Sequence, residues 1–250
     1  MKTAQEKIKM HKKLFVLIGP PACGGSALLA EMGRRMNGSS LVFGTGNRFR
    51  EIEKDPNHRH HSDVVGFMPH GFLVPDAATI NVFTELWEGK KKALGEVAHV
   101  WLDKVIRTAY QANVVIPYIR ENWSPDEVCV VHIETPREVC EERIFKDRVS
   151  EGRGDDNYDS VDTRFYEWDL NRDALLEALG KLARVIKFQA FEMRDKDAPL
   201  ILDSLGIKEN ISEHGGNHVG IIPKDQELRH FQKLQRDPFP ASSAPVVPAS

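Results

Sequence analysis

Five short apolar runs punctuate the chain: LFVLIG at 14–19, LVF near 42, VWLD at 100–103, VCVVHIE at 128–134 and RVIKFQ near 184–189. Short, nearly continuous apolar runs are how strands buried on both faces read, so they predict a parallel sheet. Helical periodicity fills the gaps, around 46–54, 76–87, 107–113, 136–147 and 159–180, and after the first strand Leu28, Leu29 and Met32 recur at helical spacing. Pro75 and Asp76 open one of these helices; Thr135 is the expected N-cap of another, with Pro136 in its first turn. Strand and helix alternate throughout, which predicts an α/β three-layer fold: a five-stranded parallel sheet flanked by helices, joined by right-handed crossovers. EGRGDDNYDS at 151–160 is the most polar interruption and is expected to be a mobile loop. Beyond residue 207 the character changes. VGII offers a strand, HFQKLQ a helical turn, and FPASSAPVVPAS a tail expected to be disordered, so residues 1–207 read as one domain and 208–250 as an extension. The chain carries no internal repeat.

Composition narrows the classes. At 250 residues and 41% hydrophobic content the chain has enough apolar surface for a real core. A net charge of −3 argues against general nucleic-acid binding, so an anion site has to be built locally. No apolar stretch reaches a membrane span, and MKTAQEKIKMHKK is not followed by a signal-peptide core. Cys23, Cys129 and Cys140 form no C-x-x-C pair, which suits a reducing cytoplasm better than a disulfide framework or a structural zinc site.

Four segments carry candidate chemistry. GPPACGGS follows the first strand and opens a helix, and Gly19, Gly24 and Ser26 fit the phosphate-binding pattern G-x-x-x-x-G-K-[ST], with Gly25 where the lysine belongs. Backbone N–H groups at such a turn attract anions without any lysine, and Ser26 can still face magnesium or phosphate; a turn that merely packs helix on strand reads the same way. FGTGNRFRE at 43–51 sets Arg48 and Arg50 at a helix start after Thr45 and Gly46, either for a second anion or as a solvated face. In HVWLDKVIRTAYQA, Asp103 ends a buried strand, where an aspartate can hold magnesium or simply cap a turn. Arg107 and Gln111 stand four apart and are expected to share a helix face, a guanidinium for phosphate beside an amide for a base edge. Around the acidic pair Asp155 and Asp156, Arg143, Arg148, Arg153 and Arg164 can converge on a phosphate chain or make a salt-bridged surface loop. His58, His60 and His61 lack an acidic or cysteine partner at ligand spacing and read as a polar loop between helices.

Taken in order, these segments resemble adenylate kinase and its nucleoside monophosphate kinase relatives. GPPACGGS is similar to that family's GPPGSGKGT, TGNRFR to TGDLLR, and LDKVIRTAYQA to LDGFPRTxxQA; GFLVPD matches the segment closing the monophosphate-binding part, and GRGDDN with Arg164 resembles the lid. The likeness runs from residue 14 to about 190. It implies a P-loop fold with a monophosphate-binding insertion at about 44–76 and a short lid at about 147–158 that lacks zinc cysteines. It further implies that Gly19, Ala22, Cys23, Gly24, Gly25 and Ser26 hold the phosphates of ATP, and that Thr45, Gly46, Arg50, Val74, Arg107 and Gln111 hold the acceptor. Arg107, Arg143, Arg153 and Arg164 would surround the phosphoryl group in flight, Asp103 would hold Mg2+ through water, and Asp155 and Asp156 would tie the lid. Thr45 and Gln111 stand where relatives favour adenine, so the implied substrates are ATP and AMP and the implied protein is a monomer without membrane or nucleic-acid partners.

The departures concern charge. Gly25 replaces the loop lysine, Asn47 an aspartate, Lys104, Val105 and Ile106 the Gly-Phe-Pro run, and Asp147 stands where the lid helix often has arginine. One cation about 4 Å from a phosphate oxygen, at an effective dielectric near 20, is worth about 4 kcal/mol or roughly a thousandfold in rate. Loss of that size leaves an enzyme that moved the charge or a catalytically impaired nucleotide-binding module with a regulatory or scaffolding role, and a kinase for another nucleoside monophosphate is a third reading. Lys104 at the end of the neighbouring strand is the expected replacement unless it points to solvent, with Arg148 beside Asp147 as a second candidate.

Overall fold

The computed structural model describes residues 11–36, 40–147, 157–189 and 194–207. The strands are β1 (Lys13–Ile18), β2 (Ser40–Phe43), β3 (His99–Asp103), β4 (Glu127–Glu134) and β5 (Arg184–Gln189). All four pairings are parallel, and the order across the sheet is β2-β3-β1-β4-β5. The helices are α1 (Gly25–Arg35), α2 (Thr45–Glu53), α3 (His61–Phe67), α4 (Asp76–Gly89), α5 (Lys91–Leu94), α6 (Ala109–Trp123), α7 (Arg137–Glu142), α8 (Tyr158–Leu182) and α9 (Arg194–Ser204). A 3-10 turn, Met68–His70, follows α3, and a π-helical turn, Arg143–Asp147, extends α7.

The period of two along β1 explains both layers. Leu14, Val16 and Ile18 face one side, where they join Leu102, Val130, Val115, Ile116 and Leu179 in the larger core. Phe15 and Leu17 face the other, with Met32 of α1, Trp101, Val131 and Ile201 of α9. Phe15 stacks on Trp101 at 4.2 Å between ring centroids. Each such fully buried side chain stabilises the fold by about 1.5–3 kcal/mol. A third, separate cluster of Phe49, Ile52, Val64, Val74, Ala78 and Val82 holds α2, α3 and α4 together beyond β2.

Several expectations need correction. The helix expected at 107–113 begins only at Ala109, capped by the Thr108 hydroxyl, and runs to Trp123 through Pro117. Its stripe Ala112, Val115, Ile116, Ile119 and Trp123 is buried at helical spacing, and that burial outweighs the hydrogen bond an interior proline removes. Thr135 makes no cap: Pro136 holds the N-cap position of α7, with no side-chain cap bond. His61 opens α3 rather than lying in a loop, and the histidines do have acidic neighbours, since His60 Nδ1 lies 3.0 Å from Asp63 and His58 Nε2 3.7 Å from Glu85. The first turn of helix supplies Asp63, and α4 supplies Glu85 from another part of the chain. Among the described residues no cluster of His, Cys, Asp and Glu is fit to hold a metal ion, and no helix is long and apolar enough to cross a membrane. The expectations for Arg148, Arg153, Asp155, Asp156 and residues 208–250 lie outside the described residues.

Candidate functional site

The chemistry-bearing residues gather at the C-terminal edge of the sheet, because β1, β2 and β3 all end there. The register pairs Leu17 with Asp103 and Phe43 with Leu102, which sets the loop after β1, the start of α2 and Asp103 side by side. Gly44 confirms the closeness of the last two, since a Cβ built on it would lie 3.5 Å from the Asp103 carbonyl.

Gly19 to Gly24 form the loop itself. Cys23 N–H donates to the Pro20 carbonyl at 3.2 Å, and Ala22 and Gly24 both take positive φ, 56° and 90°, which coils the backbone into a tight turn. Gly24 is the N-cap of α1 and offers no side-chain cap, and no acidic residue occupies the first turn. The first amides of an eleven-residue helix therefore open on the loop, an arrangement that favours an anion. Ala22 and Cys23 are buried while Ser26 is exposed.

Ser26 Oγ donates to Asp103 Oδ2 at 2.5 Å. The other carboxylate oxygen, Asp103 Oδ1, is buried with no hydrogen-bond partner among the described residues. A buried carboxylate oxygen left without a donor is costly, and a hard cation with oxygen ligands removes that cost. Ser26 and Asp103 thus fit magnesium on this structure's own terms.

Two cations reach the same loop. Lys104 follows directly on β3 with φ 54°, its N–H bonded to the Leu17 carbonyl at 3.2 Å and its Nζ to the Pro20 carbonyl at 3.4 Å. Arg143, in the π-helical turn, donates from Nη1 to the Ala22 carbonyl at 3.4 Å. At Gly25 a Cβ would lie 2.6 Å from Leu17 Cδ2, so a side chain there requires the end of the fully buried Leu17 to move.

The residues assigned to the acceptor are tied to their neighbours, and Arg107 and Gln111 to each other. Thr45 is buried at the start of α2, Gly46 follows it, and Arg50 Nη1 donates to Asn47 Oδ1 at 3.2 Å. Val74 is buried, and its carbonyl accepts from the Thr79 hydroxyl at 3.1 Å. Arg107 and Gln111 do not share a helix face, because Arg107 precedes the N-cap. They meet differently: the Arg107 N–H donates to Gln111 Oε1 at 2.6 Å, while the Arg107 guanidinium donates from Nε to the Lys104 carbonyl at 3.1 Å. Gln111 is buried and donates from Nε2 to Asp76 Oδ1 at 2.8 Å, and the same oxygen accepts from the Thr108 hydroxyl at 3.0 Å. Asp76 is therefore a hub that sequence reasoning treated only as a helix opener, and nothing local to residue 76 announces partners on α6. Arg164 lies on α8 with Nε directed to the Ser160 carbonyl at 3.4 Å.

Comparison with known proteins agrees with a nucleotide site. The chain is 21% identical to UMP-CMP kinase of Sus scrofa over 187 residues, 75% of this chain and 93% of that protein. It is 25% identical to adenylate kinase of Leptospira biflexa serovar Patoc over 166 residues, 66% of this chain and 84% of the relative. No family model matches. Among solved structures, the Deinococcus radiodurans tunicamycin resistance protein is similar over 79% of this chain and 98% of its own, at 13% identity and a TM-score of 0.46, a likeness too loose to bear on the site. The sequence matches amount to a weak but extended similarity to nucleoside monophosphate kinases, and those two relatives differ in the base named for their acceptor.

Proposed function

We propose that this chain transfers the γ-phosphoryl group of Mg-ATP to AMP, giving two molecules of ADP. The observation that carries the reading is the pairing of Ser26 with Asp103, whose second oxygen is buried and without a partner at the mouth of a glycine loop. In this reading Gly19, Ala22, Cys23, Gly24, Gly25 and Ser26 bind the ATP phosphates through backbone amides, and residues of about 44–76 form the monophosphate-binding part. Magnesium, when bound, neutralises charge on the transferred phosphate, and Ser26 and Asp103 would hold it. Arg143 and Arg164 face the phosphate chain, while Arg107 holds the acceptor phosphate in line. The transfer needs no covalent intermediate; positioning and electrostatic stabilisation supply the rate.

Base choice rests on Gln111 and Thr45. Each end of the Gln111 amide uses one hydrogen bond internally and retains capacity for a second, so it can keep Asp76 and Arg107 and still complement the donor–acceptor edge of adenine. Steady-state turnover with ATP and magnesium, against AMP, UMP, CMP and dTMP in parallel, tests the proposal. AMP is the expected best acceptor. Faster turnover with a pyrimidine would overturn the base assignment, and no turnover with any of them would overturn the kinase reading.

A further inference from the structure

We infer that Lys104 is the phosphate-facing cation of the donor loop, delivered from the neighbouring strand in place of a lysine at position 25. The inference rests on the reading of the loop as an ATP-phosphate site, and it turns on three observations. The first is steric. With Leu17 Cδ2 only 2.6 Å from where a Cβ at position 25 would sit, a side chain there has to displace the end of a fully buried leucine. The second is placement: Lys104 Nζ is 3.4 Å from the Pro20 carbonyl, so its ammonium already lies on the loop, and its backbone N–H is bonded to the Leu17 carbonyl at 3.2 Å. An ammonium has three N–H donors, and a carbonyl accepting one at long distance is readily exchanged for a phosphate oxygen.

The third observation is conformational. Lys104 adopts φ 54°, a left-handed backbone that an ordinary residue takes up less readily than glycine. This conformation turns the chain immediately after β3 and directs its carbonyl to Arg107 Nε at 3.1 Å. One residue thus touches the end of β1 with its N–H, the donor loop with its ammonium and the acceptor-side arginine with its carbonyl. The backbone part of that bridge is available to glycine; only the ammonium requires lysine.

That separation supplies the test. Lys104→Gly keeps the turn and the carbonyl but removes the charge, so the melting temperature should hold or rise while the Kd for Mg-ATP and for magnesium tripolyphosphate weakens about tenfold to a hundredfold. Binding of adenosine, which has no phosphate, should stay within about twofold, and Lys104→Arg should retain most of the Mg-ATP affinity. Unchanged tripolyphosphate and Mg-ATP affinity in a folded Lys104→Gly protein would overturn the inference, as would a wild-type protein that binds neither. Should Lys104→Gly fail to fold, Lys104→Gln carries the same expected loss and the same overturning result. Binding and turnover are read separately: Lys104-dependent binding without transfer to any monophosphate would leave this inference standing and remove the kinase reading.

Discussion

Around the loop after β1, polar groups are fixed by backbone and by strand register: Asp103 sits where it does because it pairs with Leu17 in the sheet, and Lys104 because its N–H is bonded to that same residue's carbonyl. Across the same sheet edge, the groups assigned to the acceptor are held by side chains, Arg50 by Asn47 and Gln111 by Asp76 and the Arg107 amide. The loop side is therefore held largely by backbone, and one of its oxygens, Asp103 Oδ1, is buried without a hydrogen-bond partner among the described residues. On the acceptor side internal hydrogen bonds must be shared or exchanged on binding, which costs affinity. Damage to the first region should appear in turnover, and damage to the second in stability and in acceptor KM.

Asp103→Asn gives the sharpest form of the contrast. It should lower kcat about a hundredfold or more while the melting temperature without magnesium stays level or rises, since a buried charged oxygen without a partner is removed. Turnover assays beside thermal melts with and without magnesium read both effects, and a loss below about threefold would detach Asp103 from the chemistry. Gly71→Ala attacks the other region through structure. Gly71 has φ 85°, and a Cβ there would lie 2.1 Å from the Ser160 carbonyl of α8, so a backbone must shift. Urea unfolding should show a loss of roughly 2 kcal/mol or more.

Gln111→Ala removes two buried hydrogen bonds, one to Asp76 Oδ1, which keeps the Thr108 hydroxyl, and one from the Arg107 N–H. A stability loss of about 1–3 kcal/mol and a rise of about tenfold in acceptor KM, with ATP KM within about twofold, are expected. Equal effects on both KM values would erase the distinction between the regions. The smallest effect is a pH dependence common to both. Burial holds the imidazoles of His132 and His99 below their ordinary range, with Lys187 and Arg172 acting on His132 in the same direction against Glu134, and Lys13 acting on His99. Their folded-state pKa values lie below the unfolded value near 6.5, so stability is complete above that pH and declines as pH falls through it. The unfolding free energy from urea titrations should drop between pH 7 and pH 5 by no more than about 1.4 kcal/mol per pH unit for each group, and His132→Gln should flatten the slope.

The strands were legible because four are nearly continuous apolar runs; Arg184–Gln189 falls on its expected limits although Lys187 interrupts it and, at the sheet edge, none of its residues is fully buried. α9 was not, since Pro199 and its flanking charges conceal Ala198, Ile201 and Leu202, whose partners are on α1 and the sheet. The donor loop could be read from its glycines, and Ser26 with Asp103 from position. Arg107 and Gln111 were paired by a helical spacing that does not apply, because the helix starts after Arg107 and their contact runs through a backbone amide. Neither the Asp76 hub nor the approach of Glu85 to His58 leaves a local trace, because each joins segments remote in sequence, whereas Asp63 stands three residues from His60 and was open to a local reading. The steric conflict at Gly25 depends on which way Leu17 turns, and no pattern of residue types records a rotamer.

That contact between Leu17 and position 25 couples two positions. A lysine placed at 25 meets Leu17 Cδ2 and has to displace it, while Leu17→Val alone leaves a cavity costing about 1 kcal/mol in a packed core. Made together, the two changes should cost less than the sum of the two made singly, a non-additivity that a double-mutant cycle reads directly.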